Sequence, residues 1–214
     1  MKNPPRSPAR GGRAVVALVA LALALVACSK DPTAPTTVAP AGFTVMSDAK
    51  QGLAVAVPSD WTRIPLSNSP AVFDQNANRL RLANPKLASI LNQARVLGQS
   101  GGAFMAVTPD GTGSANLTVD KPKEKTVDQI VTNSVAALKN PDIGATNITQ
   151  EPSTLAGKPS IKVSFRLPVV TDAGTIPTDE VQHYLLSGGK AYILTVAATP
   201  TDVAAAIADS LRLR

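Results

Sequence analysis

Apolar and polar positions change period several times along the chain, and each change marks an element. Leu53, Val55 and Val57 alternate with alanines and read as a strand with at least one buried face. A short apolar segment, Phe43 to Met46, and a turn over residues 48–52 precede it. Pro58-Ser59-Asp60-Trp61 breaks the strand, and Ile64 starts a short continuation. From Pro70 to Ala83, apolar side chains at Val72, Phe73, Leu80 and Leu82 predict a helix. Asn84-Pro85 reads as an N-cap followed by proline at the first helical position. Leu87, Ile90, Leu91, Val96 and Leu97 then give the apolar stripe of a second helix, ending at Gly98.

Beyond the loop over residues 99–102, Ala103 to Thr108 and Ala115 to Val119 read as a strand pair joined across Pro109-Asp110-Gly111-Thr112-Gly113. Thr126-Val127-Asp128-Gln129 fits a capping box, and the helix behind it places Ile130, Val131, Val135 and Leu138 on one face before Asn140-Pro141. The last third is mostly strand. Asn147 to Gln150 is one candidate; Ile161, Val163, Phe165 and Leu167 alternate with polar residues in the next. Residues 171–178 are expected to be a flexible loop. Glu180 to Leu186 and Ala191 to Ala197 flank Ser187-Gly188-Gly189-Lys190, a strong hairpin signal. Thr201-Asp202 is expected to cap a closing helix with Val203, Ala206, Ile207 and Leu211 on one face. Consecutive strands are mostly joined by short turns, so the expectation is an α+β fold, an antiparallel sheet with helices packed on it.

The N-terminus obeys a different pattern. Ala14 to Ala27 is an unbroken apolar run of 14 residues behind a basic, Pro/Gly-punctuated head. A spanning helix needs roughly 20 residues, so head and run read as a signal peptide. Leu25-Val26-Ala27-Cys28 resembles the lipobox of bacterial lipoproteins. That resemblance implies a diacylglycerol thioether on Cys28, cleavage before it, and anchoring to the outer face of the cytoplasmic membrane. The rival is ordinary cleavage after a small-x-small triplet; Leu25 is too bulky for one ending at Ala27, whereas Ala22-Leu23-Ala24 is usable. Ser29 to Ala41 carries Pro32, Pro35 and Pro40 among Thr and Ala and cannot build a core. It is read as a flexible tether of up to roughly 40 Å. The division is therefore a signal peptide over 1–27, lipidated cysteine and tether over 28–41, and one domain over 42–214.

Charge adds little. The 214 residues hold 21 basic and 15 acidic side chains, a net of +6. Lys2, Arg6, Arg10 and Arg13 belong to the head, and without them 17 face 15, a net of +2. Seven scattered aromatics (four Phe, two Tyr, one Trp) offer no stacking platform, so nucleic acid is not an expected partner. One Cys and one His exclude disulfide scaffolds, zinc ribbons and His-based metal clusters. Ser100-Gly101-Gly102 is not followed by the Lys-Ser/Thr of a phosphate-binding loop, and no cofactor is expected.

Several segments in this order resemble one family. Leu53–Val57 followed by Pro58-Ser59-Asp60-Trp61 looks like its first strand and Pro-x-x-Trp corner, and Ala115-Asn116-Leu117-Thr118-Val119 like its central strand. Gln182-His183-Tyr184, Gly188-Gly189 and Ala191 to Thr195 look like its final hairpin, and Ala208 to Leu211 like its C-terminal helix. With the lipobox, the chain resembles the actinobacterial LpqN/LpqT-type lipoproteins within the PsbP-like α/β/α superfamily. The resemblance implies an accessory role in the cell envelope, with a lipid or glycolipid ligand or a protein partner. It implies no catalytic residue, because the family shares no catalytic constellation.

The residues themselves are thin in chemistry. His183 is the single histidine and lies in a predicted strand with Val181 and Leu185 on its face; no partner for a general base is visible. Asp110-Gly111-Thr112-Gly113 has no second copy and reads as a hairpin turn, and Lys121, Lys123 and Lys125 read as a solvated loop. Trp61, Tyr184 and Tyr192 are the candidates to line a ligand groove between sheet and helices. The expectation is a non-enzymatic, lipid-anchored envelope protein holding an apolar ligand. The alternative is an interaction module serving an envelope transporter or cell-wall complex, and a hydrolase would need a polar group within reach of His183.

Overall fold

A computed structural model describes residues 33–171 and 174–214. The strands are β1 (Phe43–Asp48), β2 (Leu53–Pro58), β3 (Thr62–Arg63), β4 (Gly102–Val107), β5 (Ser114–Asp120), β6 (Thr146–Leu155), β7 (Lys158–Thr171), β8 (Gly174–Ser187), β9 (Lys190–Ala197) and β10 (Arg212–Leu213). The helices are α1 (Pro70–Ala83), α2 (Ala88–Gln99), α3 (Val127–Leu138) and α4 (Thr201–Ser210). Two antiparallel sheets result: β1-β2-β10, and a seven-stranded sheet ordered β3-β4-β5-β9-β8-β7-β6. The predicted α+β class is the one observed.

Local chemistry explains most boundaries. Gly188 and Gly189 both have positive φ, 60° and 72°, which a two-residue hairpin of the favoured twist demands. They set Ser187 opposite Lys190 and thereby the whole β8–β9 register. The cap at α3 forms with one change from the expected box: the Thr126 hydroxyl accepts from Gln129 N at 3.2 Å, while Gln129 Oε1 reaches past the N-cap and accepts from Lys125 N at 2.9 Å. Asn84 Oδ1 accepts from Lys86 N at 3.2 Å, opening a 3-10 turn over Pro85–Leu87 that leads into α2.

Three expectations need correction. The loop over 171–178 is instead largely strand: β7 and β8 stay paired out to Thr171 and Gly174. Pro168 and Pro177 face each other there, and the β-branched Val169, Thr175 and Ile176 suit the pleat. The candidate strand 147–150 grows to the ten residues of β6, because β7 offers a partner along its length. At α4 the N-cap is Pro200, without a side-chain cap bond; Thr201 and Asp202 lie inside the first turn, where the acid favours the helix dipole.

The seven-stranded sheet has a core on each face. On one, β2 and α4 close over it: Leu53, Val55, Val57, Phe104, Leu117, Leu194, Ile207 and Leu211 are fully buried together. On the other, apolar residues form two separate clusters. One lies under α1 and α2 (Phe73, Leu91, Ala94, Met105, Val107), the other under α3 (Ile130, Val131, Val135, Val163, Phe165, Tyr184). The Thr33–Pro40 segment has neither helix nor strand, yet the Thr37 hydroxyl donates to the Ser210 carbonyl at 2.6 Å.

Candidate functional site

The gap between the two helix-side clusters is the candidate site. Cross-strand register builds its floor. Met105, Asn116, Thr195, Gln182 and Val163 follow one another across β4, β5, β9, β8 and β7; Val107, Ser114, Ala197, Glu180 and Phe165 form the next row. Both rows run from apolar under α2, through mostly polar, to apolar under α3. Thr118 continues the polar line along β5 beside Ile193. Gln93, Val96, Leu97 and Ser100 wall the α2 side around a hollow of about 400 Å³ over Met105, Ser114 and Asn116. Val96 is 64% exposed although its helix is amphipathic, so this wall presents apolar surface to the cleft.

Width explains the gap. Neighbouring strands lie about 4.8 Å apart, so seven strands span roughly 29 Å, and packed helices lie about 10 Å apart. Three evenly spaced helices would cover that width. Here α1 packs on α2 and the 85–87 turn, α2 packs chiefly on β4, and α3 chiefly on β7 and β8, so no helix is centred on the β5–β9 seam.

The floor carries the more unusual electrostatics. Burial pushes the Glu180 carboxyl up to about 7, so near neutral pH it is both a hydrogen-bond donor and an acceptor. Burial also raises the Tyr184 phenol, partly offset by a hydrogen bond with Ser134 of α3. That phenol donates to Gln182 Oε1, pinning the Gln182 amide at the cleft's α3 side. Ser, Asn, Thr and Gln side chains thus put hydrogen-bonding groups between apolar walls.

His183 lies on the opposite face and is 6% exposed. Ser153 Oγ is 3.2 Å from its Nδ1, a partner on β6 that the sequence alone did not reveal. Burial first, and the Lys162 charge second, hold the imidazole down at about 4. At neutral pH it is uncharged, with one nitrogen engaged and a basicity far below that suited to general-base work. Lys162 itself is paired with Glu151.

The sequence-predicted groove residues are not brought together. Tyr184 lies beneath α3 next to the cleft, whereas Trp61 is buried in the core under β2 and α4, and Tyr192 packs at the edge of that same core. Trp61 N–H donates to the Pro58 carbonyl at 3.0 Å through its backbone, which forms the corner the sequence pattern indicated. Cys28 lies outside the described residues. The floor residues Ser114, Asn116, Thr195, Gln182 and Glu180 were missed, because alternating polar residues in a strand signal only a face away from the core. The cross-strand register alone aligns them between two helices.

No protein-family model matches this sequence, and no curated protein matches it. Solved structures do resemble it. Cyanobacterial PsbP (CyanoP) from Synechocystis superposes with a TM-score of 0.52 at 12% identity, over 85% of this chain and 98% of that one. LpqN, involved in cell envelope biogenesis of Mycobacterium tuberculosis, gives 0.42 at 12% identity over 83% and 89%. A Pseudomonas aeruginosa protein of unknown function gives 0.37 at 9% identity over 76% and 87%. The antiparallel sheet with helices packed on it is thus the PsbP-like fold.

Proposed function

We propose that this chain is a non-enzymatic cell-envelope protein, anchored through a lipid on Cys28, that holds an apolar ligand with a polar part, such as a lipid or glycolipid, in the cleft over β5 and β9. The observation that carries this reading is the cross-strand order of the floor, apolar-polar-apolar, beneath a split helix layer. A fold that merely needed a solvated sheet face would not require Val96 and Leu97 to line it. The anchoring and the envelope location rest on the lipobox and signal peptide. Non-enzymatic action is supported by the low basicity of the buried His183, whose contact is Ser153, and by a floor on which, among the described residues, no hydrogen bond joins the Glu180 carboxyl to a hydroxyl.

Native mass spectrometry of the protein purified from its own membranes tests the ligand. A mass that disappears on denaturation, and is absent from Asn116→Trp and Thr195→Trp, is the expected result. An identical adduct in wild type and both variants, or none after incubation with host lipid extract, overturns it. A protein-interaction module is the second reading. It is favoured by the outer end of β7–β8, which runs past its neighbours β6 and β9 and leaves Ile176 half exposed.

A further inference from the structure

We infer that the end of the body bearing Lys50, Arg63, Arg212 and Arg214 docks on the anionic surface of the bilayer that holds the Cys28 lipid; this rests on the anchoring proposed above and gives it an orientation. The argument begins with the segment that follows the cysteine. Composition alone describes residues 29–41 as a free tether, yet its second half is bound to the body. The Thr37 hydroxyl donates to the Ser210 carbonyl at 2.6 Å, Arg214 Nη1 donates to the Thr33 carbonyl at 3.4 Å, and Phe43 N donates to the Pro40 carbonyl at 3.0 Å. Ser210 is itself held in place, its Oγ accepting from Ala56 N at 2.8 Å. Residues 33–40 thus run beside the α4–β10 junction, beyond the two-residue β10 that ends the small sheet.

The free leash is therefore short. From Cys28 to Thr33 there are five steps, which span at most about 18 Å when fully extended. The leash also leaves the body at a defined place. Thr33 sits at Arg214, and Arg214 N donates to the Gly52 carbonyl at 2.9 Å, at the turn between β1 and β2. That turn carries the exposed Lys50, and Arg63 Nη1 donates to the Ser47 carbonyl at its start. The end nearest the bilayer holds four cations against Asp48, which pairs with Arg63, and Asp209, near Arg212 on α4. Among the described residues, Lys50, Arg212 and Arg214 enter no ion pair. With a Debye length of about 8 Å, this leash keeps the charges within about two Debye lengths of the surface even when fully extended, against about five for a tether of about 40 Å.

Orientation on a bilayer tests this. Cys28 is the single cysteine of the chain, so residues 28–214 can be coupled through it to a maleimide phospholipid in nanodiscs of phosphatidylglycerol and phosphatidylcholine doped with a gadolinium-chelating lipid. Amide resonances of residues 48–54 and 212–214 are expected to lose several-fold more intensity than those of α1. Lys50→Glu in its exposed turn, or Arg212→Glu with Arg214→Glu, should even out the losses, as should phosphatidylcholine alone. Uniform losses in the wild type, or losses centred on α1–α3, overturn the proposal. The coupling supplies the anchor, so the docking stands or falls apart from the natural lipid. Mass analysis of Cys28 in protein from native membranes decides that separately.

Discussion

The two faces of the seven-stranded sheet are built from the same strands and treated in opposite ways. On the β2–α4 face, Phe104, Leu117 and Leu194 meet Ile207 and Leu211 in one dry, continuous cluster. On the helix face, the side chains one position along those strands are Met105, Asn116 and Thr195, and the apolar ones separate into two islands. The strand period of two makes this possible: each residue's neighbour belongs to the other face. The closed face supplies stability, which frees the open face to carry polar side chains that contribute little to it. The sharpest test uses adjacent residues of β5. Leu117→Ala removes a fully buried side chain from the closed face and should cost about 4 kcal/mol in urea unfolding. Asn116→Ala, one residue earlier, should change stability by less than about 0.5 kcal/mol. Comparable losses from both would mean that the cleft floor is part of the core and the two faces are not distinct.

This division also shows how much the sequence could disclose. Element types were legible wherever chemistry is local: the Thr126–Gln129 box, the Gly188-Gly189 turn and the alternation of β7 each depend on residues a few positions apart. The cleft was not legible, because Asn116, Thr195 and Gln182 come from three strands and become neighbours only through pairing. Aromatic content was a poor guide for the same reason: Trp61 and Tyr192 are indistinguishable in sequence from groove residues, yet belong to the closed side. The distal β7–β8 pairing escaped because two prolines and a glycine in 168–177 signal a loop, while the opposed register places both prolines at one rung.

Burial shifts a titratable group on each face, His183 and Glu180, and their pH dependences have opposite signs. His183, on the closed face, is depressed from 6.5 to about 4, so the unfolded chain binds its proton first as pH falls. Its contribution is present above pH 6.5 and is lost between about 6.5 and 4, on the order of 3 kcal/mol. The stability difference between wild type and His183→Gln should shrink by that amount over the window. As the chain's only histidine, its single Cε1 proton resonance should not titrate at pH 6.5; a midpoint there would show an imidazole open to water.

Glu180, on the open face, is raised from 4.5 to about 7, so the folded state holds its proton longer. Its stabilising contribution is complete below pH 4.5 and disappears as pH rises through 7. It is half-buried rather than enclosed, so we expect about 2 kcal/mol. Glu180→Gln should therefore be more stable than wild type at pH 8 by roughly that amount, with the advantage vanishing by pH 4.5. An advantage independent of pH would place the carboxylate in solvent and remove it from the cleft floor. Because the Glu180 and His183 windows overlap with opposite slopes, each variant unmasks the other group's dependence.

The finest distinction lies within the closed face, at its β6–β7 margin. Ser153 and Ser160 are directly opposed across the two strands. Ser153 Oγ has a partner, the Nδ1 of His183 at 3.2 Å, whereas Ser160 Oγ is buried and has none among the described residues. A hydrogen bond contributes about 1 kcal/mol net, and an unmet buried hydroxyl costs about as much or more. Ser153→Ala should thus lose about 1 kcal/mol and leave the imidazole unpaired, while Ser160→Ala should be neutral or gain up to about 1 kcal/mol. Two serines on the same rung would then respond with opposite sign to the same substitution. Equal losses would show that Ser160 is satisfied in solution, and that the closed face admits water at this edge as the cleft does at its centre.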